Sequence, residues 1–298
     1  MRIREFKSVV KKYRTVFFDA FGVLKNHKGI IPGIENTFKY LDERGIDYYI
    51  LTNDASRNPE ALSGFYQQNG IHCITPDKII SSGMLAMDFL RSKIKTGAVA
   101  YLGTSASSHY IESAGLEAIP VQELQDGQFE DIKCMVFLDD EGFDWNNDIN
   151  KVINLIRKKN MTVVVANTDI NYPVNRNDIA VAIGGIASMV EDIVHKNFIR
   201  FGKPDAQMFM FGHERAMKKQ PSLKRNEILM VGDTLYTDII GGNKFGMDTA
   251  LVLSGNTLPD MADIRIKGSG IIPDYICESV AIDPEESFVN AGNIHVKD

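Results

Sequence analysis

Val16-Phe17-Phe18-Asp19-Ala20-Phe21-Gly22-Val23-Leu24 is the stretch that decides the fold. It opens as a short apolar run of aromatic and β-branched residues, too short for a helix, and ends abruptly in one carboxylate before turning at Gly22. A buried central strand of an α/β sheet delivers a reactive group to its C-terminal edge in this way, and such folds build their sites at that edge. An aromatic residue, Phe21, stands two positions after the aspartate.

Upstream, residues 1–14 space Ile3, Phe6, Val9 and Val10 as one apolar helical face between basic residues, which predicts a docked helix. Downstream, Pro32-Gly33 marks a turn before a helix from about Ile34 to Glu43, closed by Gly45. The apolar run Tyr48-Tyr49-Ile50-Leu51 then reads as a second buried strand, ending in Thr52-Asn53-Asp54, and Asn58-Pro59 opens another helix to about Gln68. Two strand–polar tip–helix units in succession imply parallel strands with right-handed crossovers. Asp19 and Thr52 are therefore expected at the same sheet edge.

From about Ser82 new α/β material begins. Its expected strands are Ala98–Gly103, Cys134–Leu138 and Thr162–Ala166, the last ending in Asn167-Thr168-Asp169. The first unit resumes near Phe198. Gly202-Lys203-Pro204 is expected to start a helix with its proline in an early position. Strand Ile228–Val231 then ends in Gly232-Asp233, helix Asp238–Lys244 and strand Thr249–Leu253 follow, and Tyr275–Cys277 is a last short strand before a polar tail. The expected organisation is a doubly wound, Rossmann-like parallel-sheet core in two parts, 1–82 and 197–298, with an α/β unit at 83–196 inserted between them.

The composition, 44% hydrophobic and 24% charged with a formal net charge of -6, is that of a globular protein and disfavours a dedicated binder of nucleic acid or anionic membrane. Cys73, Cys134 and Cys277 are scattered without metal spacing, as expected for free thiols in a reducing compartment. The apolar run before Asp19 is too short for a signal sequence, and no run approaches a membrane span, so a cytoplasmic location is expected. The six histidines show no ligand spacing. The acidic run Asp139-Asp140-Glu141 reads as a solvated loop.

The predicted topology gathers Asp19, Thr52, Lys203, Asp233 and Asp238 at one edge. Carboxylates converging on one point repel unless a cation lies between them, and an all-oxygen set suits a hard ion such as Mg²⁺. A lysine at a helix start, a hydroxyl and backbone amides make a cradle for a phosphoryl group. With the charge screened, Asp19 can attack phosphorus as a nucleophile, giving an aspartyl-phosphate. Simpler roles exist for these residues: Asp238 could be a helix N-cap, and Asn167 with Asp169 could form an Asx turn.

FFDAFGVL, LTN, GKP and VGDTLYTD, in this order, resemble the four motifs of the haloacid dehalogenase-like (HAD) hydrolase superfamily. The large insert between the second and third, the close match over MVGDTLYTDIIGGNKFGMDTALVLSG and the strand tip ANTD resemble subclass IIA, the N-acetylglucosamine-phosphate and nitrophenyl-phosphate phosphatase-like branch with an α/β cap. The resemblance covers roughly residues 15–280. It implies Asp19 as nucleophile and metal ligand, Thr52 and the Asn53 backbone as holders of the phosphoryl oxygens, and Lys203 as the bridge between phosphate and nucleophile. It further implies Asp233, Asp238 and the backbone carbonyl of Phe21 as metal ligands, and Asn167 and Asp169 as substrate contacts from the cap. The implied substrate is a small phosphorylated metabolite, a sugar phosphate among the options, and caps of this kind often form homodimers.

Phe21 departs from the pattern. Phosphatases of this superfamily usually carry a second aspartate there, which protonates the leaving alcohol and later activates water. That help is worth about 10²–10⁴-fold, or roughly 3–5 kcal/mol of barrier. Three expectations follow: a phosphatase that is slow or dependent on a good leaving group, a phosphometabolite-binding or regulatory protein with impaired turnover, and an altered chemistry such as dehalogenation. Asp19-Ala20-Phe21 resembles the start of the haloacid dehalogenases, but these use no metal and have a smaller helical cap.

Overall fold

The computed structural model describes residues 2–125, 130–175 and 178–282. His295 and most of the polar tail lie outside them. The opening stretch forms strand Thr15–Phe18 near the middle of a six-stranded sheet. Across the sheet the order is Tyr275–Cys277, Asp248–Val252, Ile228–Gly232, Thr15–Phe18, Asp47–Thr52 and Ile79–Ser81, with every neighbouring pair parallel. The chain fills the side of Asp47–Thr52 first and returns on the side of Ile228–Gly232. The order thus reverses between Thr15–Phe18 and Ile228–Gly232, where a crevice opens at the strands' carboxyl ends. Asp19 follows one of these strands and Asp233 ends just past the other.

Both faces of the central strand are buried, which is why it is apolar throughout. Val16 and Phe18 face helix Ile34–Glu43 and the N-terminal helix, with Phe18 edge-on to Phe38 at 5.7 Å. Phe17 faces the other way, edge-on to Tyr49 at 6.0 Å, in a cluster that includes Met208 and Phe209 of helix Ala206–Met217. Each such side chain contributes about 1.5–3 kcal/mol by burial. Asn58 caps helix Pro59–Gln68 by accepting from Ala61 N at 2.8 Å, with Pro59 in the first turn.

The second sheet is also parallel, in the order Ile199–Arg200, Thr162–Val165, Ile132–Phe137, Ala98–Leu102 and Glu117–Pro120. Helices Trp145–Lys158 and Ile183–Val194 supply the apolar cluster on one of its faces. Its other face, through Tyr101, Val136 and Val164, joins the cluster that holds Phe17 and Leu51. Tyr110 adds polar ties, donating to Arg57 O at 2.7 Å and lying 2.8 Å from Ser81 Oγ.

Several elements differ from the sequence reading. The N-terminal helix spans only Phe6–Val10, and Ile3 instead bridges to Ile276 at the sheet edge. Strand Ile199–Arg200 pairs with Thr162–Val165, so the second sheet runs past residue 196, the end expected for the insert. Pro204 precedes the helix rather than entering it: Asp205 is the N-cap, and the helix begins at Ala206. Strands Ile79–Ser81 and Glu117–Pro120 and the hairpin Asn171–Pro173/Ile179–Val181 are too short to show a period. Helix Ile183–Val194 is masked by its paired glycines, which let it approach closely: a Cβ on Gly184 would come within 2.6 Å of Asp169 O. Among the described residues, no helix is long and apolar enough to cross a membrane.

Candidate active site

Asp19 is fixed at the crevice by its own backbone, whose N–H donates to Val231 O at 2.8 Å. The chain then turns at Gly22, with φ +81°, over the side chain of Asp233. A Cβ on Gly22 or on Gly255 would lie 2.0 Å from Asp233 Oδ2, so both positions require glycine for space. Asp233 Oδ2 accepts from Asn256 N at 2.6 Å, and its Oδ1 accepts from Thr234 Oγ1 at 3.0 Å. Asp238 is carried by a wide, π-type turn, Leu235–Ile239, and its Oδ2 accepts from Thr234 N at 3.1 Å. One carboxylate oxygen from each of Asp19, Asp233 and Asp238 lies within 4.8 Å of the others.

Lys203 arrives from the opposite side, 2% exposed. Its Nζ donates to Asp19 Oδ1 at 2.7 Å and lies 2.7 Å from Asp238 Oδ1, the second contact an ion pair by distance without hydrogen-bond alignment. Asn53 clamps its backbone: Lys203 N donates to Asn53 Oδ1 at 2.7 Å, and Asn53 Nδ2 donates to Lys203 O at 3.1 Å. The same Nδ2 lies 3.1 Å from Thr168 Oγ1 and 2.9 Å from Asp169 Oδ1, and Thr168 Oγ1 donates to Lys203 O at 2.6 Å. The tip of strand Thr162–Val165 is thereby tied to the tip of strand Asp47–Thr52. Thr52 is buried, and its Oγ1 accepts from Asp54 N at 3.2 Å.

One ammonium against three carboxylates leaves negative charge uncompensated in a buried place. Burial pushes the Asp238 carboxyl up to about 7, with Lys203 pulling against and Asp19 adding to it. Asp233 is also held well above the usual carboxylate range, by burial first and then by the charges of Asp19 and Asp238. Burial alone would lower Lys203, but Asp19, Asp238 and Asp169 outweigh it and raise it. This is the electrostatics of a site short of positive charge, and its all-oxygen donors fit a hard divalent cation.

Two cavities, of about 670 and 360 Å³, meet here. Asp19, Phe21, Asp169 and Tyr172 line both. The larger extends along Ile170–Pro173 toward Arg200, Tyr236 and Lys244; the smaller runs past Thr52 and Asp54 toward Asp139 and Asp140.

Residues 16–117 match the family model described as haloacid dehalogenase-like hydrolase, and residues 200–282 match the HAD-hydrolase-like model. The crystal structure of a possible sugar phosphatase of the HAD superfamily from Cytophaga hutchinsonii is 53% identical, with a TM-score of 0.91 over 95% of this chain and all (100%) of that one. The chain belongs to the haloacid dehalogenase-like hydrolase family. It is similar to chronophin from Mus musculus, 25% identical over 92% of this chain and 93% of that protein. It is equally similar to glycerol-3-phosphate phosphatase from Gallus gallus, 25% identical over 92% of each. The second sheet is the α/β unit expected between the two parts of the core, and the chain is a hydrolase.

The structure brings Asp19, Lys203, Asp233 and Asp238 into one cluster, with Thr52, Asn53, Phe21 and Asp169 around it. Asp238 is not the N-cap of a helix. Asn167 forms the Asx turn, its Oδ1 accepting from Asp169 N at 2.9 Å, and lines only the smaller cavity. The acidic run is not a solvated loop throughout. Asp139 and Asp140 are partly buried, and burial, followed by the charges of Asp140 and Asp54, pushes Asp139 up to about 6. Sequence reading missed Thr168 and Asn256, the clamps on Lys203 and Asp233. ANTD and the Ser254-Gly255-Asn256 turn were the available signals, but their partners are distant in the chain.

Proposed function

We propose that this hydrolase is a Mg²⁺-dependent phosphatase acting on small phosphorylated metabolites, sugar phosphates among them, through an aspartyl-phosphate on Asp19. The observation that carries the reading is the contact of the buried Lys203 with Asp19 inside the three-carboxylate cluster. Asp19, Asp233, Asp238 and the Phe21 carbonyl would hold the cation, which supplies charge to offset the repulsion between Asp19 and a phosphoryl dianion. Thr52 and the Asn53 backbone bind phosphoryl oxygens, and Lys203 draws phosphate and nucleophile together. An Asp19 oxygen forms a bond to phosphorus as the bond to the leaving oxygen breaks, and water then releases phosphate from Asp19. The larger cavity has the volume of a small-metabolite site, and two of the relatives are named a glycerol-3-phosphate phosphatase and a possible sugar phosphatase.

The test is hydrolysis of p-nitrophenyl phosphate with and without Mg²⁺, by wild type and Asp19→Asn. The reading requires Mg²⁺-dependent release above the Asp19→Asn background; equal rates exclude it. Metal-independent halide release from a haloacid would favour dehalogenase chemistry instead. Phe21 supports a second reading, a phosphometabolite-binding protein with impaired turnover, because its side chain has no proton to give. A gain of about 10²-fold or more in Phe21→Asp would favour that reading.

A further inference from the structure

A phosphate monoester of an ordinary alcohol leaves poorly as an alkoxide, so the leaving oxygen needs a proton as its bond to phosphorus breaks. Phe21 cannot supply one. The source must sit beside Asp19 and open into the cavity that receives the leaving group. Asp205, in the larger cavity, is spent on capping helix Ala206–Met217 through Gln207 N at 2.8 Å. Asp233 belongs to the carboxylate cluster, and Arg200 is paired with Glu191. Asp54, Asp139 and Asp140 line the smaller cavity and not the larger. Tyr172 donates to Asp140 at 2.9 Å, and burial, with that carboxylate, pushes its hydroxyl up to about 12.

Asp169 remains. It lies at the junction of both cavities with Asp19 and Phe21. Its Oδ1 is held by Asn53 Nδ2, its backbone N–H is held by Asn167, and its Oδ2 makes no hydrogen bond or ion pair among the described residues. We propose that Asp169, contributed by the inserted unit, is the general acid and base of this active site. The proposal rests on the phosphatase reading.

In the first step the Asp19 oxygen bonds to phosphorus, the P–O bond to the leaving group breaks, and its electron pair takes the Asp169 proton, freeing the alcohol. In the second, the Asp169 carboxylate takes a proton from the water that bonds to phosphorus; the P–O bond to Asp19 breaks and the Asp19 carboxylate returns. The groups facing Asp169 keep a proton within reach near neutrality. Burial dominates in pushing its carboxyl up to about 6; Lys203 and the Asn53 hydrogen bond pull down, while Asp19 and Asp54 add to the rise.

The test compares wild type, Asp169→Asn and Asp169→Asn/Phe21→Asp on p-nitrophenyl phosphate, whose phenolate leaves readily, and on glycerol phosphate, whose alkoxide does not. We expect Asp169→Asn to lose about 10²–10³-fold in kcat/KM on glycerol phosphate. Single-turnover release of nitrophenolate should fall less than about 10-fold. The fall in kcat/KM on glycerol phosphate as pH rises above about 6, where Asp169 loses its proton, should vanish, while the acid-side limb set by the substrate's own second ionisation at about 6 stays, and Phe21→Asp should restore part of the loss. Retained nitrophenolate release shows that the variant is folded. Equal losses on both substrates, a change in KM alone, or an unmoved alkaline-side limb would overturn the proposal while leaving the phosphatase reading intact. So would a 10²-fold gain from Phe21→Asp in an otherwise wild-type chain. Absence of Asp19-dependent turnover in wild type would fell both.

Discussion

Replacing Lys203 with methionine keeps the length of the side chain and removes its charge from the middle of the cluster. The lysine is 2% exposed, and its two contacts at 2.7 Å are to Asp19 and to the fully buried Asp238. Removing one partner from a buried ion pair costs about 3–5 kcal/mol, because the remaining charge is left uncompensated. The sign with pH follows from the acids left behind. Asp238 sits at about 7 although Lys203 pulls it down, and Asp233 is also raised. Without the lysine Asp238 rises further. A carboxyl raised in the folded state binds protons more readily there than in the unfolded chain, so stability falls as pH rises through that folded value. The deficit of Lys203→Met should therefore be about 3–5 kcal/mol at pH 8 in chelator, and should shrink at pH 5.5, where Asp238 is protonated. Urea unfolding at the two pH values measures it. Mg²⁺ should recover part of the pH 8 loss, since binding to the folded state alone stabilises it by mass action. A deficit below about 1 kcal/mol at pH 8, or one equal at both pH values, would refute the account of Lys203 as the charge that holds the cluster together.

Three further outcomes are expected. Gly22→Ala should abolish Mg²⁺-dependent turnover and the Mg²⁺-induced rise in Tm, because the new Cβ falls 2.0 Å from Asp233 Oδ2 at a φ of +81°; calorimetric titration with Mg²⁺ is the direct check. Asp139→Asn should stabilise the protein at pH 8 and have no effect near pH 4. Its folded value of about 6 against the ordinary 3.8 makes the ionised form costly above pH 6, and at about 1.4 kcal/mol per pH unit the gain is bounded at about 3 kcal/mol. Thr168→Val should cost about 1 kcal/mol in urea unfolding and lower kcat more than it raises KM, since it removes one of the two side-chain hydrogen bonds to the Lys203 carbonyl without touching the carboxylates.

The six-stranded sheet was legible because strands buried on both faces, such as Thr15–Phe18 and Ile228–Gly232, are continuous apolar runs that stop at a polar tip. The three carboxylates of the cluster were legible for the same reason, each lying at such a tip or one turn beyond it, whereas Lys203 was read from Gly202-Lys203-Pro204. What stayed hidden is set by short or long-range geometry. Edge strands of three or four residues carry no period, and the paired glycines of Ile183–Val194 lower helix propensity at a place where close packing on Thr168 and Asp169 requires them. The depth of Asp139 and Asp140 depends on Thr104 and Tyr172 closing over them, which no local spacing encodes.

The unit that joins these parts is Asn53. As the residue after Thr52 it reads as one more polar tip, yet its amide oxygen takes the Lys203 N–H while its amide nitrogen serves Lys203 O, Thr168 and Asp169. A glycine precedes the lysine because a Cβ on Gly202 would lie 2.7 Å from Asn53 Oδ1. The side chain therefore sets two distances at once, the lysine to Asp19 and the strand tip of the inserted sheet to both. Placing Asp169 at the junction of the cavities is a consequence of satisfying that one buried amide, since an unpaired donor there would cost about 1–3 kcal/mol. The local polar chemistry of a strand tip thus brings a carboxylate from a different sheet into the two cavities that Asp19 and Phe21 line.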